Sequence, residues 1–316
     1  MVSPITRTSD LGVSLSLDNN MARTSKRIEQ ATLQQTSGLK LQSFADAGEL
    51  TTRIINLENT LAGYNKFEQG ERTLQIRMGK MEIITNQIND IAIEFRARAN
   101  KAISFGVPDS AFQDYCKKQL NEIERLLNSQ DHEGRYLFGG DATSTPPVDM
   151  SLLTAPAIGG AINYDYYQGS ENLSVGLMGD NQKISYGVLA KDDGIANLVN
   201  ALKIGTLNFP SNTPTSPGYQ RLKTDIIPLA EKAAIEIPDI LQNIGATTKI
   251  IEQSVERQDT IKSYTQELLA NLIETNPVEV MKELTMSQIS LEFSMLAYQK
   301  MIQGSEDLLS AMRTMR

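Results

Sequence analysis

Side chains suited to catalysis or metal binding are scarce in this chain. Its 316 residues include one histidine, His132, one cysteine, Cys116, and no tryptophan. One histidine and one cysteine are too few for the usual ligand sets of zinc, haem or iron–sulfur clusters. Cys116 falls on the apolar face of a predicted helix, which is typical of a core residue. No metal, cofactor or thiol chemistry is therefore predicted.

Two other patterns that could support chemistry are more typical of solvated surfaces. Glu122 with Glu124, and Asp192 with Asp193, place two carboxylates close together. Such pairs can act as acid and base, but on helices and loops they are usually solvated. The glycine pair at 159–160 lacks the Lys-Ser/Thr that follows in a phosphate-binding loop. The sequence therefore predicts a protein that is not an enzyme.

Charge and hydropathy together argue against two classes of partner. The formal net charge is −8 and the pI is about 4.9, whereas nucleic-acid binding depends on clustered cationic side chains. No stretch approaches the roughly 18 consecutive apolar residues of a membrane-spanning helix. The first 25 residues also lack the cationic start and apolar centre of a cleavable secretory signal. We therefore expect neither a nucleic-acid nor a membrane partner.

Long helices are predicted in both halves of the chain. Apolar residues alternate at spacings of three and four over Phe67–Ala102 and, less regularly, over Leu241–Leu272, which is typical of coiled-coil-like packing. A further helix from residue 109 or 110 is expected to fold back on the first as an antiparallel hairpin. Leu222–Glu236 predicts another helix, and Pro238 is expected to lie in the first turn of the next one.

The middle of the chain has a different character. Residues 135–218 contain most of the glycines and prolines and several tyrosines. Short strands are predicted at Ile162–Tyr167, Asn172–Met178 and Ile184–Val188, separated by glycines. This region is therefore predicted to be a β-rich insert.

Amphipathic helices are predicted at both ends of the chain. The N-terminal helix has a thin apolar stripe, and Asn276-Pro277 separates a C-terminal helix with a fuller stripe from the preceding helix. An isolated amphipathic helix has to cover its apolar stripe, so we expect other copies of the chain to cover it, forming a homo-oligomer. The predicted assembly interface comprises Leu17, Met21, Ile28, Met281, Leu284, Leu291, Met295, Tyr298, Ile302 and Leu309. In the isolated subunit, residues 1–40 and 285–316 are expected to be disordered or marginally stable.

The predicted fold class is mainly α with a β-rich insert, in which long antiparallel coiled-coil-like helices pair the N- and C-terminal regions. Three layers are expected, each built from distant parts of the chain. Residues 1–50 with 278–316 form the terminal polymerisation helices of an inner layer. Residues 51–134 with 219–277 form a bundle of long helices, and 135–218 form the outer insert.

Two short motifs resemble a known family. The Ser37-Gly38 turn is similar to the Ser-Gly turn of bacterial flagellins and of the flagellar hook–filament junction proteins. The segment Gly134–Gly140, which reads GRYLFGG, resembles a signature of the junction protein that adjoins the filament. The residues that carry the likeness are Ser37, Gly38, Gly134, Arg135, Tyr136, Phe138, Gly139 and Gly140.

The resemblance implies a flagellin-like fold and a structural subunit of the bacterial flagellum that joins the hook to the filament and serves motility. It also implies secretion by the flagellar type III export apparatus and a location outside the cell. The implied partners are other copies of the chain, the hook-side junction protein, flagellin, and an export chaperone bound to the C-terminal helix. Two alternatives remain open: flagellin itself, and a cytoplasmic coiled-coil adaptor.

Overall fold

The computed structural model describes residues 4–40, 50–104, 110–179, 182–208 and 216–314. Side chains are described from residue 12 onward, apart from those at 305, 308, 309, 312 and 314. The described chain is mainly α-helical with a small antiparallel sheet, which confirms the predicted fold class. None of the described helices has an apolar stretch long enough to cross a membrane.

The elements follow one another in a simple order. The helices before the sheet are α1 (Pro4–Ser37), α2 (Leu50–Ser104) and α3 (Ser110–Leu127). The sheet consists of β1 (Ser174–Leu177) and β2 (Lys183–Tyr186). The helices after it are α4 (Asp193–Gly205), α5 (Pro217–Arg221), α6 (Ile227–Ile273) and α7 (Pro277–Thr314), and a π-helical turn, Leu222–Ile226, joins α5 to α6.

The chain divides into two compact units. Residues 1–62 and 262–316 form the terminal unit, and residues 63–261 form the central unit. The predicted three-layer organisation stays a prediction.

The central unit contains a large apolar core. Its buried residues include Met78, Met81, Ile88 and Phe95 from the predicted seam of α2. Helices α2 and α3 form the predicted antiparallel hairpin. The rings of Phe95 in α2 and Phe112 in α3 stack 6.0 Å apart. Arg77, earlier in α2, pairs with Asp131, which follows the end of α3. The three-four spacing therefore identified the buried face of α2 correctly.

The predicted β-rich insert holds less strand and more helix than expected. The prediction of a strand at Ile162–Tyr167 was wrong: this segment is a turn that contributes a single bridge, Val148 to Tyr167. Helix α4 was missed, although its polar residues Asp193, Asn197, Asn200 and Lys203 recur at spacings of four, three and three in an otherwise apolar segment. That spacing is typical of a helix, so the signal for α4 was present in the sequence.

The prediction that Pro238 starts a helix was also wrong. Pro238 lies inside α6, which runs without interruption from Ile227 to Ile273. Proline removes one hydrogen bond from a helix and crowds the carbonyl four residues earlier. Buried residues on both sides of Pro238, such as Ala233, Ile237 and Ile244, supply the packing that holds the helix together despite that cost.

The terminal unit is built around α1 and α7, which pack against each other. The pair is antiparallel: Gln35, near the end of α1, donates to the Met281 sulfur near the start of α7 at 3.0 Å, and Leu17 lies in a groove with Ile289 and Phe293. The predicted break before α7 is confirmed. Asn276 accepts a hydrogen bond from the Val278 amide at 3.0 Å, and Pro277 occupies the first helical position, where a missing N–H costs nothing.

Candidate assembly surfaces

The facing sides of α1 and α7 each follow a three-four spacing. On α1 the predicted residues Leu17, Met21 and Ile28 are half-buried, and Ala31 is fully buried. On α7 the covered positions recur at alternating intervals of four and three. They are Val280, Leu284, Ser287, Leu291, Ser294, Tyr298 and Met301. The predicted residues Leu284, Leu291 and Tyr298 therefore belong to the face that packs within this helix pair.

Three other predicted residues of α7 are exposed. Met281 is 48% exposed, Met295 46% and Ile302 39%, while the side chain of Leu309 lies outside the described residues. Small serines at 287 and 294 occupy two of the covered positions, and Ser294 directly precedes the predicted Met295. Hydropathy does not mark such serines, although their small size lets two helices approach closely. The role of the exposed residues in assembly stays a prediction.

A second apolar stripe on α7 was not predicted. Met286, Ile289, Phe293 and Leu296 recur at spacings of three, four and three, and all four are exposed, Phe293 most of all at 68%. We call these four residues the α7 ridge. Exposed apolar residues arranged contiguously on one helix face are typical of a surface that binds another chain. The same spacing test that identified the other seams would have found this one.

The Ser37-Gly38 motif connects the end of α1 to the turn between α6 and α7 within the terminal unit. Gly38 has φ +71°, a left-handed conformation that glycine adopts without strain and that ends α1. Its carbonyl accepts from the Thr275 amide at 2.9 Å, and the Lys40 amide donates to the Ile273 carbonyl at 2.7 Å. These bonds tie the end of α1 to the corner between α6 and α7. The motif therefore has a structural role in positioning the terminal helices.

The second motif begins at a buried ion pair. Asp131 and Arg77 are paired, and both side chains are 1% exposed. Asp131 also accepts from the backbone amides of Glu133 at 2.8 Å and Arg135 at 3.0 Å, and from the Arg135 side chain at 3.0 Å. Burial alone would raise the pKa of Asp131, but these hydrogen bonds and the Arg77 charge outweigh it and lower the pKa to about 2. Arg135 thus helps to hold a charged carboxylate in the core.

The rest of this motif connects separate strands and loops of the central unit. Phe138 is fully buried, and its carbonyl accepts from the Ala190 amide at 2.9 Å. The Gly139 carbonyl accepts from the Ser170 amide at 3.0 Å, and the Gly140 carbonyl accepts from the Ser174 hydroxyl at 2.7 Å.

Glycine is required at both positions of the pair. A Cβ atom at Gly139 would lie 2.7 Å from the Ala142 carbonyl oxygen, and one at Gly140 would overlap the Asn172 carbonyl. Gly140 also has φ +64°. Gly134 ends its turn with φ +77°, and the Tyr136 carbonyl accepts from Arg77 at 3.3 Å. The second motif is therefore a junction of the core.

The side chains that could have supported catalysis or metal binding lie in environments typical of structural or surface residues. Cys116 is fully buried against Gly205, and burial raises its pKa to about 12. The His132 side chain is about half exposed. Glu122 pairs with Arg125 on the surface, and Glu124 accepts from the Met150 amide at 3.0 Å. Among the described residues, no three His, Cys, Asp or Glu side chains are grouped so that they could hold a metal ion.

Comparison with solved structures places this architecture among known folds. A flagellar hook-associated protein from Vibrio parahaemolyticus superposes with a TM-score of 0.57 and 13% identity, covering 72% of this chain and all of the Vibrio chain. The chain has the fold of a flagellar hook-associated protein. FlgL from Bacillus cereus also aligns, with a TM-score of 0.45, 17% identity and coverage of 70% of this chain and 98% of FlgL. No family profile and no curated protein sequence matches the chain.

The hook-associated protein fold brings some of the predicted residues together and not others. Leu17, Met21 and Ile28 lie with Leu284, Leu291 and Tyr298 in the terminal unit, whereas the GRYLFGG segment lies in the central unit. Sequence reasoning missed Arg77, the buried partner of Asp131. A signal was present, since a cation directly beside the apolar seam of α2 needs a buried anion.

Proposed function

We propose that this protein is a structural subunit of the bacterial flagellum, a hook-associated protein that joins the hook to the filament and assembles through its terminal helices. Its partners in this proposal are further copies of the chain, the hook-side junction protein and flagellin. The proposal gives the protein no catalytic role and no cofactor.

The observation that carries the proposal is the α7 ridge. Met286, Ile289, Phe293 and Leu296 remain exposed although α7 already packs against α1. Fully burying side chains of this size yields about 1.5–3 kcal/mol each. A helix pair with one covered seam and one uncovered ridge is suited to adding neighbours side by side, as a polymer requires.

The fold supports the flagellar setting of this assembly. The Vibrio hook-associated protein is covered over its whole length, so the likeness extends beyond a single helical hairpin. The Ser37-Gly38 and GRYLFGG motifs, which resemble those of the junction proteins, occupy structural junctions here. Their positions support an architectural role for both motifs.

The route to the flagellum is part of the proposal. We infer export of the unfolded chain by the flagellar type III apparatus, with a chaperone covering α7 beforehand. The chain has a single cysteine, so it can form no internal disulfide that would block threading. The exposed methionines of α7, Met281, Met286 and Met295, are side chains that adapt to more than one partner.

The test uses a strain of the source bacterium that lacks the gene and carries either the wild-type gene or a variant. We expect the deletion to leave hooks without filaments and flagellin in the medium, and the wild-type gene to restore filaments. Phe293→Ser removes the most exposed side chain of the ridge, so we expect it to be exported but to restore few filaments. Electron microscopy and immunogold labelling provide the measurements.

A matched control is Ile83→Ser, which removes an apolar side chain of comparable exposure from α2; we expect it to restore filaments fully. Label along the whole filament would identify flagellin instead of a junction protein. Protein confined to the cytoplasm, with filaments unaffected by the deletion, would support the adaptor and reject the proposal.

A further inference from the structure

Strand β2 borders a groove in the central unit. The sheet has two strands, and among the described residues β2 pairs with β1 only. One wall of the groove contains Ser185, Gly187 and Val188, and the opposite wall contains Asn243 and Ile250 of α6. The cavity volume is about 520 Å³. We call this space the β2 groove.

The backbone of β2 presents unpaired groups on the side away from β1. At the hairpin end, the Met178 amide donates to the Gln182 carbonyl at 2.8 Å. Hydrogen-bonded and non-hydrogen-bonded pairs alternate in an antiparallel ladder. The pair Gly176–Ile184 is therefore bonded and the pair Val175–Ser185 is not. The N–H and C=O of Ser185 consequently point away from β1.

The two ends of the groove differ in chemistry. Around β2 and α6 the lining is largely apolar and includes Leu173, Leu189 and Ile250, of which Ile250 is about half exposed. An adjoining cavity of about 670 Å³ shares Asp192 and Asn243 with the first.

The adjoining cavity is acidic. Glu171, Asp192 and Asp193 line it, and Lys191, the one cation among the described lining residues, already pairs with Glu171. Burial and the neighbouring Asp193 raise the pKa of Asp192, and the Leu189 amide that donates to it lowers the pKa only in part. A cationic group at this end would relieve that unfavourable field.

We propose that the β2 groove binds an extended segment of a partner protein, which adds to β2 as a third strand. Its backbone pairs with Ser185, its apolar side chains pack against Ile250 and Leu173, and a basic side chain lies beside Asp193. An edge strand with free backbone groups is the usual acceptor for such a segment. The acidic end sets the direction in which the segment binds. This proposal concerns the central unit and does not depend on the flagellar role.

The test uses the purified full-length protein and a phage-displayed library of random peptides of about 12 residues, a length that spans a strand and its flanks. We expect selected peptides to alternate apolar with other residues and to carry Lys or Arg at one end. Synthetic copies should lose about tenfold in affinity when alternate backbone amides are N-methylated in the bonding register, and little in the other register.

Two variants with matched controls locate the binding site. Ser185→Pro removes the outward N–H without breaking a bond to β1, and we expect it to weaken peptide binding about tenfold. Ser185→Ala keeps that amide and should bind like the wild type. Asp193→Asn should reduce the preference for a basic end, whereas Asp114→Asn, on the exposed surface of α3, should not.

Several results would overturn the proposal. One is the selection of no peptide above background, and another is equal peptide binding to Ser185→Pro and Ser185→Ala. A third is an equal loss of affinity when the peptide amides are N-methylated in either register. Binding of soluble oligosaccharides in place of peptides would overturn it as well. If Ser185→Pro fails to fold, as judged by its thermal unfolding, the N-methylated peptides still decide the question on the wild-type protein.

Discussion

At the scale of single residues, buried charged side chains stabilise the fold of the central unit. Asp131 is held ionised in the core by Arg77, Arg135 and two backbone amides. An ion pair this deeply buried costs desolvation, and removing one partner leaves the other charge uncompensated. The sequence alone showed Arg135 as part of a motif, but not Arg77, because the two lie far apart in the chain. Only the antiparallel α2–α3 hairpin brings Arg77 to the motif.

Asp131→Asn should therefore destabilise the protein strongly. We expect a loss of about 3–5 kcal/mol in the free energy of unfolding at pH 7, because Arg77 stays buried without a charged partner. Urea unfolding measures this loss. Asp114→Asn, whose carboxylate is exposed beside Lys117, serves as the control and should change the free energy by less than about 0.5 kcal/mol. Similar losses in the two variants would contradict the structural role of Asp131.

The pH dependence of stability tests the same residue. The pKa of Asp131 is about 2 in the folded protein, below its usual value of 3.8, so its contribution is fully present above about pH 4 and is lost as the pH falls toward 2. A shift of this size corresponds to about 2 kcal/mol. Wild-type protein should lose about that much more than Asp131→Asn between pH 5 and 2, measured by urea unfolding. Parallel pH curves would be inconsistent with this assignment.

At the scale of helices and strands, the three-four periodicity predicted the packed faces of the long helices, whereas the elements of the insert and the effect of Pro238 were predicted less well. The seams of α1 and α2 were found because apolar and polar faces alternate along them. Helix α4 was missed although its polar residues Asp193, Asn197, Asn200 and Lys203 recur at helical spacing. The continuity of α6 was missed because packing outweighs the local preference of Pro238. On α7 the predicted residues Met281, Met295 and Ile302 each lie one position after a covered residue. Hydropathy did not identify the covered positions 287 and 294, because both are serines.

Replacing Pro238 tests how far packing overrides local preference. Pro238→Ala restores a backbone N–H inside α6 and removes the crowding of the Ala234 carbonyl, so we expect it to stabilise the central unit by about 1–3 kcal/mol. The thermal unfolding midpoint should rise accordingly. Pro277→Ala is the control: this proline occupies the first position of α7, where its substitution should be nearly neutral. A lower midpoint for Pro238→Ala would mean that the central unit requires the local geometry imposed by the proline.

At the scale of the whole molecule, buried apolar residues are distributed very unevenly. Every member of the main hydrophobic cluster lies between Leu74 and Ile251, within the central unit. The fully buried apolar side chains described in the terminal unit are Ala31, Ile54 and Val280. Helix pairs with so little buried area depend on additional partners for stability. The sequence predicted this difference through the thin stripe of the N-terminal helix.

Hydrogen exchange on the monomeric protein tests this distribution. We expect the amides of α1 and α7 to exchange far faster than those of α3 and α4, because local opening of the terminal helices exposes little apolar surface. In assembled protein, α7 should become protected around Phe293, since the ridge is then covered by a neighbour. Phe293→Ser should change monomer exchange only slightly, because this side chain is 68% exposed beside Leu17, but should abolish the protection gained on assembly. Monomer protection of α1 and α7 equal to that of α3 would show that the terminal unit is stable without neighbours.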